Sequence, residues 1–256
     1  MKLLLAIPTG GNPAAPFLAS LRELRTPASA TAFERVTIVG NYIPAQRELA
    51  ARRALSAAAD VLFMVDDDMI LPPDALTGLI DALDADPRLA VAGALYYSRD
   101  GIRPIAADRW DSRDTTTAAV PAFRDELTYC DVVGFGCAAL RVSALATLPA
   151  PYFHPQVYVE ERAARVRICN EDYLFCEDVR RAGWRVAVHA GVRCKHYDRG
   201  SDLAFPREWE DAAATSIERM IVEEAGPRYR LVPYDAAVPA KPERHLTAAI
   251  DYIMVE

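Results

Sequence analysis

Over the first hundred positions of the 256-residue chain, short apolar runs closed by turn residues alternate with stretches whose apolar side chains recur at helical spacing. Leu3–Pro8 is a strand ending on Thr9-Gly10-Gly11-Asn12, and Pro16–Leu24 predicts a helix through Phe17, Leu18, Leu21 and Leu24. Arg35–Val39 is a second strand, closed by Gly40-Asn41. Pro44–Ala59 is a helix opened by proline and filled with Ala, Leu, Arg and Glu. Val61–Val65 is apolar throughout and predicts a buried third strand; Pro73–Leu83 is a helix, and Leu89–Ala94 a fourth strand running into Tyr96-Tyr97. This alternation predicts an α/β fold with a mainly parallel central sheet covered by helices on both faces.

The second half is less regular. Ser98–Glu126 is polar and long for a loop, as binding loops and lids often are. Asp131–Gly136 with Cys137–Leu148 predicts a buried strand leading into alanine-rich packing. Asn170–Ala182 predicts a helix with an acidic start, ended by Gly183. Trp184–His189 and Val192–His196 are two short strands, and from Arg207 an amphipathic helix runs to Glu224 before a proline-punctuated tail. The expected organisation is one domain. Residues 1–97 form one half, 98–206 with the 98–128 loop a smaller mixed half, and 207–256 a terminal helix and tail.

Composition narrows the function classes. A net charge of −7 without a broad basic stripe argues against a nucleic-acid partner. No apolar run has the length of a spanning helix, and the N-terminal run reads as a first strand rather than a signal segment. The five cysteines (Cys130, Cys137, Cys169, Cys176 and Cys194) lie mostly among apolar residues and form no C-x-x-C pair. Reduced thiols in a cytoplasmic protein are therefore expected, rather than a disulfide framework or a zinc site.

The candidate chemistry starts at Asp66-Asp67-Asp68, which follow the third strand directly. Ligands in α/β folds gather beyond the carboxyl ends of strands, and three adjacent carboxylates need a compensating cation or hydrogen-bond network. Hard ions such as Mn²⁺ or Mg²⁺ favour such oxygen ligands, often together with substrate phosphates. Asp84-Ala85-Asp86 repeats the Asp-x-Asp spacing at a helix end and serves as an internal control for chance. A second acidic pair, Glu171-Asp172, opens a helix, where capping is the simplest role. His196 closes a strand and is suited to complete an oxygen-rich metal site.

In order, Ile7-Pro8-Thr9, the Arg-bearing helix Gln46–Ala54, Phe63 to Met69 with Pro72, Asp131 to Cys137, Asn170 to Cys176 through Gly183, and Cys194 to Asp198 resemble glycosyltransferases of the GT-A fold. The likeness spans about residues 3 to 200 and is to the inverting family 2 type. It implies a metal-dependent transfer of a sugar from a nucleoside-diphosphate sugar, UDP-sugars favoured, to the hydroxyl of a sugar or glycan acceptor. Residue by residue, it implies that Pro8 and Thr9 line the nucleotide pocket, Asn41 lies near the base, and Arg52 or Arg53 approaches the nucleotide. Asp66 and Asp67 contact the nucleotide-sugar, and Asp66, Asp68 and His196 hold the divalent ion, Mn²⁺ or Mg²⁺. Asp172 is the general base and Glu171 its partner at the acceptor.

Two other classes share parts of this pattern. A nucleotidyltransferase would carry a Gly- and basic-rich loop after the first strand, but the nearest basic residue after Gly10-Gly11 is Arg22. A non-catalytic nucleotide-sugar or glycan-binding module would keep the pocket without turnover; intact Asp68, Asp172 and His196 argue against it.

Overall fold

A computed structural model describes residues 1–113, 118–123, 126–160, 165–207 and 209. In chain order the elements are β1 (Lys2–Thr9), α1 (Ala15–Glu23), β2 (Ala32–Val39), α2 (Ile43–Ser56), β3 (Val61–Val65), β4 (Met69–Ile70), α3 (Ala75–Ala85) and β5 (Leu89–Leu95). There follow β6 (Ala106–Ala107), β7 (Leu127–Cys130), β8 (Val132–Val133), β9 (Cys137–Arg141), α4 (Val142–Leu145), β10 (Gln156–Glu160) and β11 (Arg165–Cys169). The last are α5 (Glu171–Arg181), β12 (Arg185–Arg193), β13 (Lys195–Asp198) and β14 (Leu203–Phe205). The described residues up to 158 and from 168 onward group as one unit, and those between 159 and 167 belong to a second. Of the second unit only the inner ends of the β10–β11 hairpin are described.

The first unit is built on a seven-stranded sheet of order β2-β1-β3-β9-β5-β12-β7. Strands β1, β2, β3, β5 and β12 run one way, and β9 and β7 run against them. The mainly parallel α/β architecture expected from the sequence is thus present. Alternation along the strands sorts the core into two layers. Leu3, Leu5, Ile7, Val61, Phe63 and Val65 join Phe17 of α1 and Leu76, Leu79, Ile80 and Leu83 of α3 on one face. Leu4, Ala6, Leu62 and Met64 meet Ala50, Ala51 and Ala54 of α2 and Leu174, Phe175 and Val179 of α5 on the other. Each buried Leu, Val or Phe side chain contributes about 1.5–3 kcal/mol, so the site below is framed by the most secure part of the molecule.

Three expectations are corrected in detail. The main strand of the 131–148 region is β9, not Asp131–Gly136, whose glycines turn the chain away after the two-residue β8. The two strands expected over 184–196 are one long β12, broken in register between His189 and Arg193, followed by β13. Part of the 98–128 loop is built rather than open: Tyr97 bridges Pro104, and β6 pairs with β8. The helix expected from Arg207 to Glu224 lies, but for Arg207 and Trp209, outside the described residues.

Candidate active site

Four segments meet at the end of β3. The chain leaves β3 as Asp66-Asp67-Asp68 and re-enters structure as β4, which pairs antiparallel with β13 so that Met69 lies opposite His196. Tyr197 N also donates to the Asp68 carbonyl (2.8 Å). That pairing brings His196, 128 positions further along by numbering, beside Asp68. The Nε2 of His196 stands 3.3 Å from Asp68 Oδ2, while its Nδ1 lies 3.1 Å from the Tyr97 carbonyl oxygen. A carbonyl only accepts, so Nδ1 carries a hydrogen, and Nε2 faces a carboxylate oxygen. Two electron-rich atoms this close require a cation between them, either a proton on the imidazole or a metal ion.

The guanidinium of Arg99 also donates to Asp68 Oδ2. Burial acts to raise the Asp68 carboxyl, but the hydrogen bonds and charges of His196 and Arg99 outweigh it and hold the group below its ordinary range. Among the described residues no group of three or more His, Cys, Asp or Glu side chains is arranged to hold a metal. Asp68 and His196 still fit a hard divalent ion by the chemistry of their donors. One carboxylate and one backbone-fixed imidazole suit an ion whose remaining positions go to water and substrate phosphate.

The neighbouring aspartates are turned to different tasks. Asp67 accepts from Thr9 Oγ1 and from Arg199 Nη2 (3.0 Å), and its carbonyl accepts from Ala14 N (2.9 Å). It therefore joins the end of β1, the start of α1 and the β13–β14 turn. Asp66 faces Arg47, whose Nη2 lies 3.1 and 3.0 Å from its two oxygens. The same guanidinium donates through Nη1 to Glu171 Oε1 (2.7 Å) and lies 3.5 Å from Asp172 Oδ2. Three carboxylates around one arginine leave the buried cluster anionic. Burial pushes Asp66 and Glu171 above the ordinary carboxylate range despite the pull of Arg47, with their acidic neighbours adding to it. Arg47 is raised instead, since the three carboxylates outweigh its own burial.

The acidic start of α5 does more than satisfy the helix end. Asn170 makes no side-chain cap, and Glu171 spends its carboxylate on Arg47. Asp172 Oδ1 accepts from the adjacent Tyr173 N (2.9 Å), whereas Oδ2 has only long approaches from Phe135 N (3.4 Å) and Arg47. Opposite them, the buried Tyr96 hydroxyl accepts from Gly136 N (3.0 Å). A Cβ on Gly134 would stand 2.1 Å from that oxygen, and one on Gly136 2.9 Å, so both glycines are dictated by the tyrosine. Burial, and then the charges of Asp172 and Asp66, push Tyr96 well above its usual value.

The structure thus brings Asp66, Asp68, Glu171, Asp172 and His196 together. Pro8 and Thr9 lie buried at the end of β1, and Asn41 is exposed just past β2. Arg52 is not in the cluster: it points outward to Glu48, and Arg53 to Glu34. The arginine delivered inward is Arg47, on the stripe of α2 shared with Ala50, Ala51 and Ala54. Its position was visible in the helical spacing, since a charged residue in register with three alanines faces the core. Tyr96 and Arg99 stood in the sequence only as residues that could face an acceptor, and Arg199 was missed; loop arginines carry no periodicity that would mark them. The control pair behaves as a surface feature, with Asp84 exposed and Asp86 bound to Tyr129 and Arg185.

Residues 41–148 match the family model described as Glycosyl transferase family 2. Among solved structures, A197 from STIV superposes with a TM-score of 0.54 at 14% identity, covering 80% of this chain and 93% of that one. GalNAc-T7, solved with UDP, GalNAc and Mn²⁺, superposes with a TM-score of 0.53 at 12% identity over 76% of this chain. The chain covers 43% of GalNAc-T7, less than half its length. No curated protein matches the sequence. The fold is that of the GT-A glycosyltransferases. No described helix is long and apolar enough to cross a membrane.

Proposed function

We propose that this protein transfers a sugar from a nucleoside-diphosphate sugar to an acceptor hydroxyl with inversion, using a divalent ion held by Asp68 and His196 and with Asp66 beside them. The observation that carries the reading is the facing pair of Asp68 Oδ2 and His196 Nε2, 3.3 Å apart, with the histidine's other nitrogen tied to a backbone carbonyl. What a bound divalent ion supplies is stabilisation of the charge that develops on the departing diphosphate. The buried end of β1, at Pro8 and Thr9, and the exposed Asn41 form the side on which the nucleotide sits, and Asp67 braces that side through Thr9.

Asp172 takes the proton of the acceptor hydroxyl as its oxygen attacks the anomeric carbon. The bond from that carbon to the diphosphate oxygen breaks, and its electron pair leaves with the nucleotide. Asp172 is favoured over Glu171 because Arg47 approaches its Oδ2 only at 3.5 Å, whereas it holds Glu171 Oε1 at 2.7 Å. Glu171 and Arg47 fix the start of α5 so that the base meets the acceptor from the face opposite the diphosphate. The acceptor is a sugar or glycan, and cysteines buried in the core support a reducing, cytoplasmic setting. Thermal-shift screening against UDP-, GDP- and dTDP-sugars tests the reading. Stabilisation by one nucleotide class that requires Mn²⁺ is expected, and none by any sugar nucleotide would reject it.

A further inference from the structure

We propose that Arg99 is a stand-in cation at Asp68 and, once a metal ion displaces it, a ligand to the donor's diphosphate. The inference rests on the metal-dependent reading above and adds to it a residue that no sequence motif marked.

Three observations carry it. First, Arg99 and the ion compete for one atom: its guanidinium occupies the same Asp68 Oδ2 that faces His196 Nε2. A guanidinium and a metal ion cannot share that oxygen from the same side. Second, Arg99 can leave without the backbone moving. Ser98 N donates to Arg103 O (2.8 Å), Gly101 N to Ser98 O (2.7 Å), and Ile105 N to Tyr96 O (3.0 Å), which fixes the turn beneath it. The Arg99 side chain is 60% exposed, against 6% for that of Asp68, so one partner is fixed and the other free to swing.

Third, the other arginines described at the acidic turn are spoken for. Arg47 is buried among three carboxylates, and Arg199 donates to the Asn12 carbonyl and to Asp67. Arg99 alone of the three has its carboxylate partner on the oxygen an ion would take. Asp198 and Asp66 keep it near the site electrostatically. In a protein of net charge −7, the diphosphate arriving with the ion is then the unpaired anion within its reach.

The two roles give opposite signs on removal of the side chain, which a structural role does not. In Arg99→Ala, Mn²⁺ alone, followed by the electron paramagnetic resonance of the free ion, is expected to bind about fivefold more tightly, the scale of a half-exposed ion pair. Pyrophosphate titrated in saturating Mn²⁺ is expected to bind about tenfold more weakly, the scale of a charge-assisted hydrogen bond, while orthophosphate changes little. Arg22→Ala, an exposed arginine of α1, is expected to change neither. Unchanged affinity for Mn²⁺ alone, or equal weakening of pyrophosphate and orthophosphate, overturns the proposal. If the wild type recruits Mn²⁺ with pyrophosphate but Arg99→Ala behaves as wild type, only the role of Arg99 fails. If neither protein binds Mn²⁺ with or without pyrophosphate, the metal reading fails and this inference with it.

Discussion

Arg47 of α2 and Asp66 at the end of β3 are locked together, with Nη2 within 3.1 Å of both carboxylate oxygens, in a pocket that leaves the arginine side chain 5% exposed. The same guanidinium holds Glu171 at the start of α5. One buried side chain therefore ties the aspartate at the end of β3 to the acids at the start of α5. Removing it leaves three carboxylates without their shared cation. Arg47→Met is expected to lose about 3–5 kcal/mol of stability, the range for breaking a buried ion pair, measured by urea unfolding. Arg47→Lys is expected to recover only part of it, since one ammonium cannot span both sides. A loss under about 1 kcal/mol would place Arg47 among ordinary surface pairs.

The raised Glu171 carboxyl makes a signed prediction. Its folded value lies above the unfolded one, so the folded state takes up a proton between the two, and stability falls as pH rises through the raised value. Metal-free protein is therefore expected to lose stability as pH rises above the ordinary carboxylate range, and Glu171→Gln to show a shallower slope. Asp68 runs the other way. Its lowered value contributes stability above the ordinary carboxylate range, which is lost as pH falls through the folded value. Thermal melts of both proteins across this range check the difference; identical slopes would remove Glu171 from the charge cluster.

Context rather than the Asp-x-Asp spacing should decide which acids bind metal. Asp68→Ala and His196→Ala are expected to weaken Mn²⁺-dependent nucleotide binding by about tenfold or more, and Asp84→Ala to leave it unchanged. Calorimetry with UDP in Mn²⁺ and in EDTA measures this. An unaltered Mn²⁺ response in His196→Ala would take the histidine off the metal.

Much of this architecture could be read from the chain because the strands of the parallel sheet are apolar on both faces. Val61–Val65 is a run of five such residues, and its observed bounds match the expected ones. The helices α2 and α5 were equally plain from their composition and punctuation. The two-residue strands β4, β6 and β8 were not, since two residues carry no period. Yet β4 is the element that registers His196 against Asp68. The three aspartates stood out because they end a buried apolar strand, whereas Glu171 and Asp172 stand at a helix start, where acids are common. Their organising arginine was passed over for Arg52 and Arg53, although only Arg47 keeps helical register with Ala50, Ala51 and Ala54. Nothing in the sequence sets Tyr96 apart from Tyr97, yet it is the Tyr96 hydroxyl that lies against Gly134 and Gly136.

The central claim is that Asp172 deprotonates an acceptor in a metal-dependent transfer from a sugar nucleotide. The most direct measurement is release of nucleoside diphosphate from the sugar nucleotide selected by thermal shift, with water or added glycans as acceptor, in wild type and Asp172→Asn. The account predicts turnover only with Mn²⁺ or Mg²⁺, and a fall of about 10²–10⁴-fold in Asp172→Asn while donor affinity stays nearly constant. Turnover undiminished in Asp172→Asn, or equally fast in EDTA, would contradict it.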